Sequence, residues 1–301
     1  MKKTIIYIGV ILLLLGANAW LFFGNNGSSS VSSQTYFSQE ELTGISELEF
    51  NYENQKVKLT READRWMLND QYPADLGFVS TLLSVLERVE EARQIENWKG
   101  DQLGVLTIAK NDGTTLMINF GTNPSKTKSY FWDEGEVSEV IVPGYRDNVV
   151  DIFSMHPDQW RDRTLVQGSW RTIQKLEIDY RNKEEDLIIR FEDKFFLVNE
   201  QQPADSSAVV DYLNQFEHFM ANEMVSEGRV KVLDSLAQLD PLATLTIDDI
   251  KYEKPLRFHI YPRSDQRNFH LLILGNGERA VVDGQRIANL LKNPADFGVT
   301  D

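Results

Sequence analysis

The sequence predicts an α+β protein: an N-terminal transmembrane helix followed by two tandem repeats, each an antiparallel sheet with one main amphipathic helix. Three observations predict it. A long uncharged segment opens the chain, four sequence blocks recur in the same order, and in each copy short alternating runs surround one stretch of helical periodicity.

Thr4 to Phe23 is twenty residues without a charge. At 1.5 Å per residue such a helix spans the roughly 30 Å hydrocarbon core of a bilayer. Lys2 and Lys3 precede it, the next Lys or Arg is Lys56, and Glu40, Glu41, Glu47, Glu49 and Glu53 fall between. That asymmetry places the N-terminus in the cytoplasm and the body in the periplasm, as a single-pass inner-membrane protein. A cleaved signal peptide remains open as the other reading. Ile5 to Gly16 makes an adequate apolar region, and Ala17-Asn18-Ala19 has the shape that signal peptidase accepts. Gly24 to Ser33, Gly/Ser/Asn-rich, opens a flexible linker over 24–39.

The duplication sets the domain plan. Leu48-Glu49-Phe50-Asn51-Tyr52 recurs as Leu176-Glu177-Ile178-Asp179-Tyr180. Trp66-Met67-Leu68-Asn69, followed after three residues by Pro73-Ala74-Asp75, recurs as Phe196-Leu197-Val198-Asn199, followed by Pro203-Ala204-Asp205. Leu106-Thr107-Ile108 answers Leu245-Thr246-Ile247, and Val142-Pro143-Gly144-Tyr145-Arg146 answers Val282-Asp283-Gly284-Gln285-Arg286. The plan is an anchor over 1–23, the linker over 24–39, one repeat over 40–165 and a second over 170–301.

Within each copy the elements follow in order. Ser46–Tyr52 and Lys56–Thr60 alternate like a hairpin closed by Glu53-Asn54, and Trp66–Asn69 forms a third strand. Asp75 is placed as an N-cap for the stripe Val79, Leu82, Leu83, Leu86 and Val89. Asp205 caps Val209, Leu213, Phe216 and Met220 in the same way. Val105–Lys110 and Thr115–Phe120 flank the turn Asn111-Asp112-Gly113. Strands at Tyr130–Trp132 and Glu139–Val142 come next, then a short helix near Asp147–Phe153.

Composition narrows the chemistry. At 42% hydrophobic and 26% charged the chain has enough apolar content for packed cores. The formal charge is −15, and everything after Lys2 and Lys3 carries −17, which repels phosphate backbones and argues against a nucleic-acid partner. Cysteine is absent, which excludes disulfides, thiolate metal sites, cysteine nucleophiles and an acylated lipoprotein cysteine.

The W-x-x-N…P-A-D block leading into an amphipathic helix, the apolar N-terminus, and the closing run Trp160-Arg161-Asp162-Arg163-Thr164-Leu165 resemble the bacterial DUF4340 family, a domain of unknown function. The resemblance spans about Leu48 to Phe297. In the second copy Phe196 replaces the Trp, and Phe297 aligns with Trp160 without a following WRDR run. The resemblance implies a membrane-anchored extracytoplasmic bacterial protein, whose relatives are often encoded beside ABC-type export or gliding-associated transport components. It implies no catalytic residues.

Catalytic signatures are missing. His156, His218, His259 and His270 show no metalloprotease spacing, and no nucleophile elbow, Walker loop or dinucleotide fingerprint occurs. A hairpin centred between Ser264 and Asp265 would set His259 and His270 opposite each other, about 5 Å apart; two imidazoles alone make a poor metal site. Asp133, Glu134, Glu136 and Glu139 cluster without calcium-loop order and read as a solvated turn. Gly275-Asn276-Gly277 reads as a hairpin turn. Trp98, Trp132, Trp160 and Trp170 fall near element ends, where an exposed ring would stack on glycan or grip a partner and a covered one would close a core edge; Trp66 reads as core. No catalytic, cofactor-binding or metal residue is assigned and no cofactor is expected. The expected function is a non-enzymatic membrane-anchored interaction protein of an envelope or ABC-type transport complex. The alternative is a glycan- or peptide-binding module using a groove between the repeats.

Overall fold

The computed structural model describes residues 34–298 apart from 134, 194, 201–204 and 265–267. They form two compact units, one built from residues up to Lys56 with Ser80–Ser154, the other from Val57–Val79 with Met155 onward.

In chain order the first copy contains β1 (Gln34–Thr35), α1 (Gln39–Leu42), β2 (Ile45–Tyr52), β3 (Gln55–Glu62), β4 (Arg65–Leu68), β5 (Tyr72–Pro73), α2 (Leu76–Arg88), β6 (Glu90–Ile95), β7 (Asp101–Lys110), β8 (Thr115–Thr122), β9 (Ser129–Trp132) and β10 (Val137–Ile141). The second contains β11 (Thr164–Val166), β12 (Ile173–Tyr180), β13 (Leu187–Glu192), β14 (Phe195–Val198), α3 (Ser206–Asn214), β15 (Phe219–Met220), β16 (Glu223–Met224), α4 (Lys231–Leu236), β17 (Ala243–Asp249), β18 (Leu256–Ile260), β19 (Phe269–Leu274), β20 (Arg279–Asp283) and α5 (Gly284–Leu290).

Local chemistry accounts for the main helix of each copy. Asp75 Oδ1 accepts from the amides of Gly77 at 2.9 Å and Phe78 at 3.2 Å. Asp205 Oδ1 does the same for Ser207 at 3.0 Å and Ala208 at 3.2 Å. Each carboxylate satisfies amides that have no partner inside the helix. Val79, Leu82 and Leu86 on α2, and Val209, Tyr212 and Leu213 on α3, are buried at helical spacing.

In the first unit the strands run β1-β6-β10-β9-β8-β7-β2, antiparallel throughout. Phe50, Phe120, Phe131 and Phe153 fill its core, with Phe120 stacked on Phe153 at 4.5 Å. In the second unit β3, β4 and β5 form a meander, β11 pairs with β15, and the large sheet runs β14-β13-β12-β17-β18-β19-β20-β16. The order β6-β10-β9-β8-β7-β2 in the first copy matches β16-β20-β19-β18-β17-β12 in the second, so the duplicated sequence folds into a duplicated topology.

Two expectations are corrected. The α+β class gives way to a mostly β protein, since the described residues are 42% strand and 22% helix, in antiparallel sheets. The physical reason is that helical periodicity overstates helix length. The stripe ending in Met220 breaks at Asn214, and Phe219 and Met220 instead pair with Val166 and Thr164. Glu90–Ile95 likewise extends as a strand straight after α2. The second correction concerns the transmembrane helix. No helix among the described residues is long and apolar enough to cross a membrane, and the segment assigned to it, with the linker up to Ser33, lies outside the described residues.

Candidate functional site

The residues that carry the repeat have structural jobs. Asn69 and Asp70 take left-handed φ values of 51° and 57°, as do Asn199 and Glu200 at 46° and 63°, the geometry of a tight turn with both central residues at positive φ. Asn69 Oδ1 accepts from the Lys58 amide at 2.8 Å, and Asn199 Oδ1 from the Ile188 amide at 2.7 Å. Asn suits this place because its short amide tolerates the left-handed region and bonds locally.

The helix entry is held alike in both copies. The Asp75 amide donates to the Trp160 carbonyl at 2.7 Å, and the Asp205 amide donates to the Phe297 carbonyl at 3.0 Å. Trp160 and Phe297 are therefore equivalent, and both are buried. Their C-terminal neighbours differ. Phe297 is succeeded by Gly298 at φ 74°, which ends a short 3-10 helix; Trp160 is succeeded by Arg161, Asp162 and Arg163.

That run builds the most chemically loaded place in the second unit. Arg161 is 3% exposed; its guanidinium lies 3.8 Å from the centre of the Tyr72 ring and donates to Glu278 Oε2. Asp158, also 3% exposed, accepts from the Ser226 amide at 2.8 Å, the Ser226 hydroxyl at 2.6 Å and Arg229 at 3.2 Å. Arg161 Nη1 lies 3.8 Å from Asp158. A buried Arg is tolerated because its planar fork is met by carboxylates and an aromatic face. Arg163 reaches back to Asp75 Oδ2 at 3.2 Å. Burial pushes the His156 pKa down and Arg229 adds to the shift, outweighing Asp158 and Glu223; the neutral imidazole accepts the Asp158 amide through Nδ1.

Around this network opens a cavity of about 390 Å³ lined by Tyr72 and Arg161 from the first copy and Ser226, Glu227, Asn276 and Glu278 from the second. It presents both signs of charge and one aromatic face, a surface suited to holding a polar segment. Sequence reading missed Asp158, Tyr72 and Glu278, which are separated along the chain. The available signal was the alternation of charge immediately after a buried Trp.

The other candidates disperse. His259 pairs with Ile273 across β18–β19, three residues past the expected register, so His270 lies an odd number of positions from that partner and on the opposite sheet face. Accordingly His259 Nδ1 bonds Thr244 at 3.1 Å, while His270 Nδ1 bonds the Tyr261 carbonyl at 2.8 Å. Of the acidic cluster, Glu134 lies outside the described residues. Asp133 turns inward to the Gly135 amide, and Glu139 is held by Arg93 at 2.8 Å and Lys128 at 2.9 Å. Burial raises the Glu139 pKa, but the hydrogen bonds and charges of Lys128 and Arg93 outweigh it and hold the carboxyl below the usual range. Among the described residues no group of three or more His, Cys, Asp or Glu side chains is arranged to hold a metal. Trp66 and Trp160 are core; Trp98, Trp132 and Trp170 are half-buried.

Trp98 and Trp132 meet at 4.5 Å in the first unit, and Trp98 lies over Tyr130 at 6.0 Å. Glycine makes the space: a Cβ on Gly100 would come within 2.6 Å of Trp98, and one on Gly121 within 3.0 Å. A glycine inside a strand marks such a close approach. Beside the indoles, Gln102 Nε2 donates to Asn119 Oδ1 at 3.0 Å. The Trp98 indole N–H is buried and has no hydrogen-bond partner among the described residues.

Comparison with known proteins adds one match. A family described as a domain of unknown function, DUF4340, matches residues 66–241. No curated protein and no solved structure matches the chain.

Proposed function

The chain belongs to the DUF4340 family, and from that premise we propose that it is a non-enzymatic interaction protein that works outside the cytoplasm as part of an envelope or transport complex. The observation that carries this reading is the cavity at Tyr72 and Arg161. It joins Arg161, from a run after Trp160 that has no counterpart after Phe297, to residues of the second copy. Its charged groups are engaged with one another, Arg161 with Glu278 and Asp158 with Ser226 and Arg229, an arrangement that presents a rigid polar surface rather than a poised acid or base. The uncharged stretch from Thr4 to Phe23, with lysines before it and acids after it, supports delivery of the body to the periplasmic side and its attachment to the inner membrane.

The test is photo-crosslinking in native membranes from Gln71 and Glu227, both exposed at the rim. One envelope or transport component is expected to crosslink from both positions and to be lost with Tyr72→Ala. Purification of the protein alone, with neither position capturing that component, overturns the proposal.

A second reading is a ligand-binding module for a glycan or peptide in the same cavity, supported by its mixed-charge lining beside the Tyr72 ring. A ligand that binds only the folded state raises the melting temperature, by an amount that grows with the logarithm of its concentration above Kd. A thermal-shift screen against envelope glycans and peptides with no response removes this reading and leaves the crosslinking test untouched.

A further inference from the structure

The two copies finish the outer face of the same sheet in different ways. In the second copy β19 and β20 present Leu271, Ile273 and Val281 there, and these pack with Leu233 and Leu236 of α4. On β20 this face also carries Arg279, which is met by Asp234 at 2.6 Å and Glu227 at 3.0 Å.

In the first copy the corresponding face of β8, β9 and β10 carries Asn119, Tyr130, Trp132 and Glu139, since Asn119 pairs with Trp132 and Glu139 with Tyr130. Among the described residues the indole of Trp98 lies on this face, over Gly121 and against Trp132. The result is an aromatic surface bent at 51°, with Trp132 half-exposed and the Gln102–Asn119 amide pair at its margin.

Three features select the ligand. Indole faces pack against the C–H face of a sugar ring, an amphipathic surface that matches them. Paired carboxamides offer both donors and acceptors to neighbouring hydroxyls at fixed spacing. Glu139 on this face is paired with Arg93 and Lys128, so its carboxylate is engaged within the protein and is not free to select a cationic ligand. We propose that this face of the first copy is a binding site for an uncharged glycan chain, with a sugar ring seated on Trp132 and Trp98 and its hydroxyls taken by Gln102 and Asn119. The site is separate from the Tyr72–Arg161 cavity and stands whether or not that cavity holds a partner.

The test titrates the full-length protein in detergent with two uncharged oligosaccharides, chitohexaose and cellohexaose. Intrinsic tryptophan fluorescence and saturation transfer from protein to sugar protons are the readouts. At least one sugar is expected to bind saturably, Trp132→Ala to weaken it about tenfold and Gln102→Ala a few-fold, both with unchanged melting temperature. Trp98→Phe, which keeps a ring over Gly121, is expected to retain binding with reduced affinity. Absence of saturable binding by either sugar up to about 10 mM overturns the proposal. So does undiminished affinity in Trp132→Ala, or equal binding of an anionic glycan such as heparin. If neither sugar binds but Trp132→Ala releases a co-purifying protein, the face belongs to a protein partner and the glycan assignment falls.

Discussion

The helix entries of the two copies use the same backbone bond and end in opposite chemistry. Asp75 is tied to the carbonyl of Trp160, and Asp205 to that of Phe297. After Trp160 comes a buried Arg161 in an ion network; after Phe297 comes Gly298. Duplication preserved the part that closes a helix N-terminus onto its sheet, because both copies need it to fold. The ion network beyond it exists once, so a single site is expected rather than a symmetric pair.

The strongest way to break this comparison is to remove the anchors. Trp160→Ala and Phe297→Ala should each cost about 3–5 kcal/mol, because both rings are at most 2% exposed. Urea unfolding with closely similar losses supports equivalence; a loss below about 1 kcal/mol for Phe297 alone refutes it. Next, Arg161→Met should cost roughly 3 kcal/mol by leaving Asp158 and Glu278 without their buried cation. Adding Glu278→Gln should recover part of that loss, a non-additivity that a double-mutant cycle measures.

Asn69→Ala and Asn199→Ala should lose about 1–2 kcal/mol each, from a strained left-handed residue and a missing bond to the neighbouring strand. Asn→Gly at either position relieves the strain alone, and the remaining deficit isolates the hydrogen bond. Asp75→Ala and Asp205→Ala both delete a cap worth about 1 kcal/mol. Asp75→Ala should cost a few tenths more through Arg163, whose side chain is 35% exposed, and that excess should shrink in high salt.

The smallest effect is the pH response of Glu139. Its carboxyl titrates below the usual range in the folded chain, so the unfolded chain binds a proton first as the pH falls. The stabilisation is complete above the ordinary glutamate pKa and is lost as the pH drops through the lowered folded value. Glu139→Gln should flatten the stability profile in that acidic window, and an unchanged profile rules out the Arg93–Lys128 pairing as its source.

Much of the architecture was legible because its signals are short-range. Asp75 and Asp205 cap helices through bonds spanning two or three residues, and Gly277 sits at φ 87° in the hairpin turn read from Gly275-Asn276-Gly277. The helix length in the second copy was misread. Val209, Leu213, Phe216 and Met220 fit a helical stripe, but Met220 is taken by a strand partner 56 positions earlier in the chain, at Thr164. The site was largely hidden for the same reason: Tyr72, Arg161 and Glu278 meet only after three distant segments fold together.

By itself the sequence determined the duplication, the caps, the turns, the acidity and the lack of cysteine, since each is set by residue identity or by neighbours a few positions away. The tertiary structure alone decided that strand outweighs helix, that Trp160 is core while Trp132 is half-exposed, and that His259 and His270 face apart. It also decided that Arg161 is buried against Tyr72. Those outcomes depend on strand register and on which distant surfaces cover each other, and a three-residue change of register reverses the face of every side chain in a strand.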